Sequence, residues 1–298
     1  MEQGSERAIA PEAADFGAFE HAAWTGRAEG YERHFEGVVE QAIEPLLDAA
    51  GVRSGLKVLD VACGPGFVAA AAARRGASVV GVDFSDRMLA IARARYPWLR
   101  FEHGDAEDLP FADDSFDAVT INFGILHFPH PLRALKEAFR VLRPQGALAF
   151  TDWAAPGPDN VAYDIVLSAM DRHAEPFALP PGPPLFQFAR AAACREALAD
   201  TGFERRRVDT RLLRLTWRLA SADGLVSAFR DGSARLAAKI AAQPPARLAA
   251  IRAEVAERSL AYRTQDGFAI PAGAALTRAR KPTFAAAPTA SSGALADA

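Results

Sequence analysis

Between residues 57 and 153 the sequence alternates segments with the pattern of strands and segments with the pattern of helices. The apolar run KVLDVA is followed by FVAAAAARRG, whose spacing is helical, and ASVVGVD is followed by SDRMLAIARARY. Further strand patterns occur in LRFEHGD, FDAVTINFG and ALAFTDW. Strands that alternate with helices form a parallel sheet covered on both faces. The pattern therefore predicts an α/β fold with a doubly wound, mostly parallel sheet.

The regular alternation ends at Trp153, and the remaining chain predicts a less regular arrangement. The Pro-rich stretches APGPDN and LPPGPP separate helical patterns, and GFAIPAGAALTRARK has the pattern of a last strand. We predict a flexible N-terminal segment over residues 1–29, one domain over 30–282 and a disordered tail over 283–298. Within the domain, residues 154–265 are expected to form a helical cap inserted before the last strands.

Composition excludes several classes of function. The 298 residues are 50% hydrophobic, which is enough to bury a sizeable core. The net charge of -3 gives no general attraction to nucleic acid or to anionic membranes. Cys63 and Cys194 are far apart and predict neither a metal site nor a disulfide framework. With no secretory signal pattern and no apolar run that spans a bilayer, we expect a cytoplasmic protein without metal, nucleic-acid partner or stable membrane insertion.

The stretch VLDVACGPGF, at residues 58–67, ends a strand pattern in an acidic residue and a glycine-rich turn. Gly64 and Gly66 follow the strand directly, at the carboxyl-end edge where open α/β sheets bind ligands. The next two strand patterns end in Asp83 and Asp105 at the same edge. A carboxylate after the second strand commonly binds a ribose, because it accepts hydrogen bonds from two hydroxyl groups. The turn therefore predicts a nucleoside ligand.

A dinucleotide site predicts similar features, and GPGFVA fits the pattern G-x-G-x-x-A. Two acidic residues argue against this alternative. Asp60 lies in the turn region, where a carboxylate repels a pyrophosphate and attracts a cation, and Asp105 adds a third acid beside Asp83. The chain also lacks the Tyr-x-x-x-Lys sequence of short-chain dehydrogenases. These acids favour an uncharged adenosine joined to a cation over a diphosphate.

Four ordered motifs resemble those of class I S-adenosylmethionine-dependent methyltransferases, in particular the ubiquinone/menaquinone C-methyltransferase-like branch. They are VLDVACGPGFVA, VVGVDFSDRMLAIAR, FEHGDAEDLPFADDSFDAVTINFGILHF and ALKEAFRVLRPQGALAFTDW. The resemblance covers roughly residues 30–153, and AIPAGAALTRARK is more weakly similar to the family's final strand. The first motif has Ala62 where many members have Gly. The resemblance implies a seven-stranded Rossmann-like sheet with a helical substrate cap, and S-adenosylmethionine as the cofactor.

The resemblance also implies which residues contact the cofactor. Asp60 would lie near the ammonium group, Asp83 would bind the ribose hydroxyls, and Asp105 would bind the adenine amino group. Phe84 would pack on adenine, and Tyr31 would close over the cofactor. The complete implied set is Tyr31, Asp60, Ala62, Gly64, Gly66, Asp83, Phe84, Met88, Asp105, Ala106, Asn122 and Phe123.

Structural roles remain open for several of these residues. Asp60 also suits a strand-end turn, Asp105 also suits a solvated run of acids, and Phe84 also suits a simple core position. Tyr31 also suits the start of an amphipathic helix. A helix cap is the alternative for Asp83, but Ser85 is the better N-cap in this sequence.

The residues around the methyl acceptor are harder to predict. His127 follows the fourth strand pattern and is the candidate general base, with a hinge role that bonds backbone as the alternative. Four aromatic residues are candidates for an apolar acceptor pocket or, equally, for a small core within the insert. They are Trp153, Phe177, Phe186 and Phe188.

The sequence thus predicts an enzyme that transfers a methyl group from S-adenosylmethionine to a small-molecule acceptor. The acceptor is expected to be partly apolar or aromatic, with oxygen, carbon and nitrogen all open as the methylated atom. One alternative is a nucleoside-binding protein of the same fold without turnover. Another is an NAD(P)-dependent oxidoreductase. The sequence does not predict the oligomeric state.

Overall fold

The computed structural model describes residues 16–283 and is built around one central sheet. The strands are β1 Lys57–Val61, β2 Ser78–Asp83, β3 Arg100–His103, β4 Phe116–Asn122, β5 Leu142–Trp153, β6 Asp209–Leu219, β7 Arg263–Thr264 and β8 Gly267–Arg280. Their order is β3-β2-β1-β4-β5-β8-β6, and the two-residue β7 pairs with β8. Strands β1 to β5 are parallel, while β8 runs antiparallel to both β5 and β6. The predicted doubly wound, mostly parallel sheet is confirmed, with β7 as a short addition.

Helices cover both faces of this sheet. They are α1 Phe16–Val39, α2 Ile43–Ala49, α3 Phe67–Arg74, α4 Asp86–Arg95, α5 Pro131–Val141, α6 Val161–His173, α7 Ala191–Ala199, α8 Gly224–Gly232, α9 Arg235–Ala241 and α10 Pro245–Ser259. Among residues 16–283, no helix combines the length and the apolar character needed to cross a lipid bilayer.

Neighbouring residues of β1 point to opposite faces and so enter different cores. Val58 belongs to the cluster that packs against α1 to α4, α6 and α8 to α10. Leu59 belongs to the cluster that packs against α5 and α7. This alternation leaves β1 buried on both faces, as expected for a central parallel strand. It also fixes Asp60, which lies beside Thr120 of β4 in the register, at the carboxyl end of the sheet.

The prediction of a flexible segment over residues 1–29 is wrong for its second half, because α1 begins at Phe16. Phe16, Ala23 and Trp24 are buried, and so is the carboxylate of Glu20. A helix that buries this many side chains is held by tertiary packing even where its own propensity is weak. Residues 1–15 lie outside the described part of the chain.

The range 154–265, predicted as a helical cap, contains two strands of the central sheet, β6 and the short β7. Helix α6 precedes β6, and α8 to α10 follow it. Helix α7 packs with α5 against the opposite face of the sheet, so it does not belong to a cap. The cap therefore remains a prediction only for α6 and α8 to α10. Most of the predicted tail, residues 284–298, lies outside the described residues.

Candidate functional site

The turn after β1 contains three residues with left-handed backbone. They are Ala62, Gly64 and Gly66, with φ of 52°, 51° and 86°. A Cβ at Gly64 would meet no atom within 4 Å, so this glycine borders open space. A Cβ at Gly66 would lie 2.8 Å from Cζ of Phe101. Gly66 therefore allows α3 to begin against the sheet, while Gly64 leaves room for a ligand to approach the backbone.

Asp83, the last residue of β2, joins two strand ends. Its Oδ2 accepts a hydrogen bond from Gly64 N at 2.8 Å, and its Oδ1 accepts one from Ser85 N at 2.9 Å. Burial raises the pKa of this carboxyl group, although both backbone hydrogen bonds oppose the rise. Ser85 is the N-cap of α4, and its hydroxyl accepts from Met88 N at 3.4 Å. The prediction that Ser85 caps this helix is confirmed.

Asp60 is buried at the carboxyl end of β1. Its Oδ1 accepts a hydrogen bond from Thr120 Oγ1 and its Oδ2 accepts one from Ala69 N, each at 3.1 Å. Burial raises the pKa of Asp60 to about 7, against these hydrogen bonds. Because burial penalises the charged form, a cation beside this carboxyl group would be bound more strongly than in water.

The end of β4 is fixed by one hydroxyl group. Thr151 Oγ1 donates to Oδ1 of Asn122 at 2.7 Å and accepts from Phe123 N at 2.9 Å. Phe123 has a φ of 53°, a strained conformation for a bulky residue. Its ring stacks on Trp153 with centroids 4.2 Å apart. These contacts hold Asn122 and Phe123 at the edge of the cleft.

Two adjoining cavities form a cleft along the carboxyl ends of β1, β2 and β4, and we call it the nucleoside cleft. Eleven of the residues predicted to contact the cofactor line it: Tyr31, Asp60, Ala62, Gly64, Asp83, Phe84, Met88, Asn122 and Phe123 in one cavity, and Asp105 and Ala106 in the other. Gly66 lines neither cavity. Asp105 is exposed, and its Oδ1 accepts from Glu107 N at 2.8 Å. The sequence thus located the cleft, while the contact made by each residue remains a proposal.

The charges of the nucleoside cleft fit an adenosyl cation. Four carboxylates line it, from Glu20, Asp60, Asp83 and Asp105. Within residues 16–283, no lysine or arginine side chain lines either cavity. A pyrophosphate would meet acids and no cation there, whereas a ribose and an ammonium group would meet acceptors. The donor set therefore fits S-adenosylmethionine and disfavours a dinucleotide.

A third cavity, which we call the aromatic chamber, adjoins the cleft beneath α1. Its wall consists mainly of rings, from Trp24, Tyr31, Phe35, Phe123, Trp153 and Tyr163. Trp153, predicted to contact the acceptor, does line this chamber. Arg235 and His127 supply the polar part of the wall. The chamber is therefore an apolar space with one polar side.

Three of the four aromatic residues predicted for the acceptor pocket lie elsewhere. Phe188 is 1% exposed and packs on Phe150 in the core formed with α5 and α7, so its assignment to the pocket is wrong. Phe177 is 45% exposed and lines none of the three cavities. Phe186 packs against Tyr163 with ring centroids 5.4 Å apart, behind the chamber wall. Phe188 therefore belongs to the core of the sheet and not to a small core within the insert, and Phe186 supports the wall from outside.

His127 has a carboxylate partner instead of the backbone partner considered from the sequence. Its Nδ1 lies 2.9 Å from Oε2 of Glu20, which is 1% exposed. Trp24 Nε1 donates to the same oxygen at 3.0 Å, and Arg235 Nε donates to Oε1 at 3.2 Å. Burial would raise the pKa of Glu20, but the charges and hydrogen bonds of His127 and Arg235 outweigh it and hold this pKa below its usual value.

Sequence reasoning missed Glu20 and Arg235. The helical spacing of Phe16, Ala23 and Trp24 was a signal for the first, because it continues α1 toward the N-terminus. No local signal distinguishes Arg235 among the many arginines of residues 205–263. Only the packing of α9 against α1 brings it to the site.

The comparisons with known proteins agree with this site. Residues 59–150, from β1 to β5, match the family described as a methyltransferase domain. Over these residues the chain is therefore similar to class I methyltransferases, and the cleft fits their cofactor, S-adenosylmethionine. Within that class, the resemblance to the quinone methyltransferase branch is confirmed by the curated relatives.

One such relative is the demethylmenaquinone methyltransferase of Renibacterium salmoninarum. It is 44% identical over 120 residues, which are 40% of this chain and 51% of the relative. The chain thus spans about half the length of the curated relatives it matches. Similarity over this region supports the domain assignment and leaves the acceptor to be argued separately.

Solved structures show the same fold. The YcgJ protein of Bacillus subtilis is 21% identical, with a TM-score of 0.55 and coverage of 81% of this chain and 98% of that one. A phosphoethanolamine N-methyltransferase of Haemonchus contortus, solved with S-adenosylhomocysteine, is 19% identical. Its TM-score is 0.54, with 91% of this chain and 61% of that chain covered.

The raised pKa of Asp60 gives a testable consequence for its proposed contact with the ammonium group. A nearby cation favours the charged carboxyl group and lowers its pKa on binding. Because the pKa of Asp60 in the free protein is about 7, adenosylhomocysteine should release close to one proton when it binds near pH 6. The release should fall toward zero near pH 8. Calorimetric titration in two buffers of different ionisation enthalpy measures it.

The control for this measurement is Asp60→Asn, which has no carboxyl group to titrate. This variant should bind adenosylhomocysteine without the proton release seen near pH 6. Equal proton release in wild type and variant would show that the ammonium group lies elsewhere.

Proposed function

We propose that this chain transfers the methyl group of S-adenosylmethionine to a small, flat, partly apolar acceptor that binds in the aromatic chamber. One observation carries the proposal: the chamber and the nucleoside cleft share the wall formed by Trp24, Tyr31, Phe123 and His127. An acceptor in the chamber would therefore lie next to the sulfonium end of the cofactor.

In the proposed cofactor complex, different parts of the cleft contact different parts of the cofactor. Asp83 would bind the ribose hydroxyls, and the turn containing Gly64 would contact the methionyl part. Asp60 would face the ammonium group. Asp105 would accept a hydrogen bond from the adenine amino group, and Phe84 would pack on the ring. These contacts are supported by the position of each residue on the cleft wall.

The bound cofactor supplies an activated methyl group, and the chain supplies position and exclusion of water. Methyl transfer from sulfur is an in-line displacement, so alignment of the acceptor with the methyl group accounts for much of the rate. Helix α1 places Trp24, Tyr31 and Phe35 over the chamber and thereby screens it from solvent. All three side chains belong to α1. A movement of this helix would therefore open the chamber to the acceptor.

A quinol-like ring is the acceptor that the comparisons favour. The curated relatives are called demethylmenaquinone methyltransferases, and a flat apolar ring suits a chamber with aromatic walls. However, the family match at 59–150 includes only three of the chamber residues, Phe123, Leu126 and His127. The other chamber residues lie outside it. The chamber itself therefore supports the general class of acceptor, and the name of the relatives supports the particular ring.

The first test concerns the cofactor. Adenosylhomocysteine at about 100 times its dissociation constant should stabilise the folded chain by about 2.7 kcal/mol, since it binds only the folded state. For a domain of this size the melting temperature should rise by roughly 5–10 °C. NADH and NADP should leave it unchanged, and differential scanning fluorimetry measures all three. A rise with NADH and none with adenosylhomocysteine would favour the oxidoreductase alternative.

The second part of this test concerns turnover. Protein and methyl-labelled cofactor are incubated with a bacterial metabolite extract, and labelled products are identified by mass spectrometry. A labelled product that requires the protein supports methyl transfer. Binding of the cofactor with no labelled product from any extract would support the nucleoside-binding alternative.

A further inference from the structure

His127 is the residue at which all three cavities meet. Among residues 16–283, no other side chain lines both cavities of the nucleoside cleft and the aromatic chamber. Its Nδ1 is engaged by Glu20, and within the same residues its Nε2 has no hydrogen-bond partner. One ring nitrogen is therefore bound by protein, and the other is available where cofactor and acceptor would meet.

The contacts of Glu20 determine which nitrogen of His127 carries the proton. The Glu20 carboxylate is buried and ion-paired with Arg235, and in its charged form it only accepts hydrogen bonds. The contact at Nδ1 therefore requires a proton on Nδ1. In the neutral imidazole this leaves a lone pair on Nε2, the nitrogen without a hydrogen-bond partner in the described part of the chain.

All three nitrogens of Arg235 already donate a hydrogen bond to protein. Its Nε donates to Glu20, its Nη1 donates to the carbonyl of Pro183 at 2.7 Å, and its Nη2 donates to the carbonyl of Leu126 at 2.5 Å. Its guanidinium carbon lies 4.5 Å from the ring centre of Phe16. Arg235 therefore holds Glu20 in its charged form and fixes it between α1, α9 and the chain before β5.

We propose that Glu20 is a positioning residue, which orients His127 as a general base toward an ionisable hydroxyl group on the acceptor ring. This inference rests on the proposed methyl transfer and adds the pair of residues that would remove the hydroxyl proton. An amine with a free lone pair needs no base to attack the methyl group, whereas a phenol-type hydroxyl gains nucleophilic strength when its proton is removed.

The proposed step transfers one proton to His127 and one methyl group to the acceptor. The hydroxyl proton moves to Nε2 of His127, which becomes an imidazolium stabilised by the Glu20 carboxylate. The oxygen, or the ring carbon activated by it, forms a bond to the methyl group as the bond from sulfur to that methyl group breaks. The electron pair of the broken bond stays on sulfur, and adenosylhomocysteine leaves. If carbon is methylated, the imidazolium returns its proton to the ring oxygen, Nε2 takes the proton of that carbon so that the ring becomes aromatic again, and this proton passes to solvent.

The tyrosine hydroxyl groups near His127 do not take this role. The ionisable groups that face it come from several elements: Glu20, His21 and Tyr31 of α1, Arg235 of α9, Asp83 of β2, and His103 and Asp105 around the end of β3. Burial raises the pKa of Tyr31 above its usual value, and the same holds for Tyr163 across the chamber. Both tyrosine hydroxyls therefore stay protonated and do not act as bases.

The test uses two hydroxylated rings as probes, 1-naphthol and chemically reduced 1,4-naphthohydroquinone, with labelled cofactor. His127→Gln should lower kcat by about 10²–10⁴-fold. Glu20→Gln should lower it by about 10–100-fold, as expected for a group that orients a histidine. The matched control is His130→Gln, because His130 also pairs through Nδ1 with a glutamate, Glu107, but lies exposed outside the three cavities. This control should keep wild-type kcat.

A more acidic acceptor separates base catalysis from a structural effect. The acceptor 4-nitro-1-naphthol is largely ionised at neutral pH and needs no base. The loss of kcat in Glu20→Gln should therefore be much smaller with 4-nitro-1-naphthol than with 1-naphthol. An equal loss with both acceptors would overturn the proposal. Analysis of the products by mass spectrometry and NMR distinguishes a methylated oxygen from a methylated carbon.

The tautomer of His127 gives a readout that needs no turnover. The ¹⁵N signals of His127 in the ligand-free protein are assigned as those that disappear in the spectrum of His127→Gln. We expect a proton on Nδ1 in wild type and a mixture of tautomers in Glu20→Gln, whose amide group can donate as well as accept. A proton on Nε2 in wild type would contradict the inference.

The outcomes separate this inference from the proposed function. If adenosylhomocysteine does not bind, the proposed function fails. If it binds with similar affinity in wild type, Glu20→Gln and His127→Gln, but neither hydroxylated ring is methylated, the proposed acceptor class is wrong and the cofactor assignment stands.

Discussion

Asp83→Ala is expected to weaken adenosylhomocysteine binding about 10- to 100-fold or more while the chain stays folded. A hydrogen bond to a charged group contributes about 1.5–3 kcal/mol, and the carboxylate is proposed to accept from the ribose hydroxyls. The same carboxylate holds Gly64 N at 2.8 Å, so its removal also frees the turn that borders the cleft. Both effects lower the affinity for adenosylhomocysteine.

Two further variants make this experiment specific. Asp83→Asn keeps the shape of the side chain, but its amide nitrogen would face the N–H of Gly64 or of Ser85, so we expect a loss nearly as large. Asp86→Ala is the matched control, because Asp86 is exposed on the first turn of α4 and lines neither cavity of the cleft. Calorimetric titration measures all three. Unchanged affinity in Asp83→Ala would refute the ribose assignment.

Gly30→Ala is expected to destabilise the folded chain by about 1–3 kcal/mol, the cost of forcing extra volume into a packed contact. A Cβ at Gly30 of α1 would lie 2.0 Å from the backbone oxygen of Asp231 in α8. Gly232 closes the same contact from the other side, where a Cβ would lie 2.9 Å from the oxygen of Gly30. The backbones of α1 and α8 therefore touch, and the methyl group of alanine would push them apart.

Gly26→Ala in the same helix is the matched control. A Cβ at Gly26 would meet no atom within 4 Å, so alanine should stabilise α1 by about 0.5–1 kcal/mol. Urea unfolding of both variants gives the two free energies. A change of the same sign in both would show that helix propensity, and not the contact with α8, determines the stability at Gly30.

The sequence predicted the sheet well, because its signals are local. Each strand from β1 to β5 is a short apolar run beside a helix pattern, and the acids at the strand ends are adjacent to these runs. Helix α6, Val161–His173, lies between the two Pro-rich stretches, where a helical pattern was predicted. The nucleoside cleft follows from the same pattern, since parallel strands bring their carboxyl ends to one edge.

The chamber was less predictable, because its walls come from distant segments. The weak pattern of α1 has a physical cause: its buried face includes the charged Glu20, and Gly26 and Gly30 interrupt the apolar spacing. Whether Phe186 or Phe188 faces a cavity depends on the path of the Pro-rich segment 174–190. This segment has no helical or strand periodicity from which that path could be predicted. The burial of Phe188 behind the sheet is decided by packing with α7 and was not visible in the sequence.

The division of the site between sheet and helices has a consequence for how such a chain changes during evolution. The cleft is formed mainly by strand ends within residues 59–150, whereas most of the chamber belongs to α1, α6 and the segment 232–236. Mutations at Phe35, at Tyr163 or in the segment 232–236, which line the chamber and not the cleft, can alter the acceptor without disturbing the nucleoside. Acceptor preference can therefore diverge rapidly among chains that keep the same cofactor, and grafting α1 together with α6 and α8 to α9 from another such chain is the direct route to exchange it.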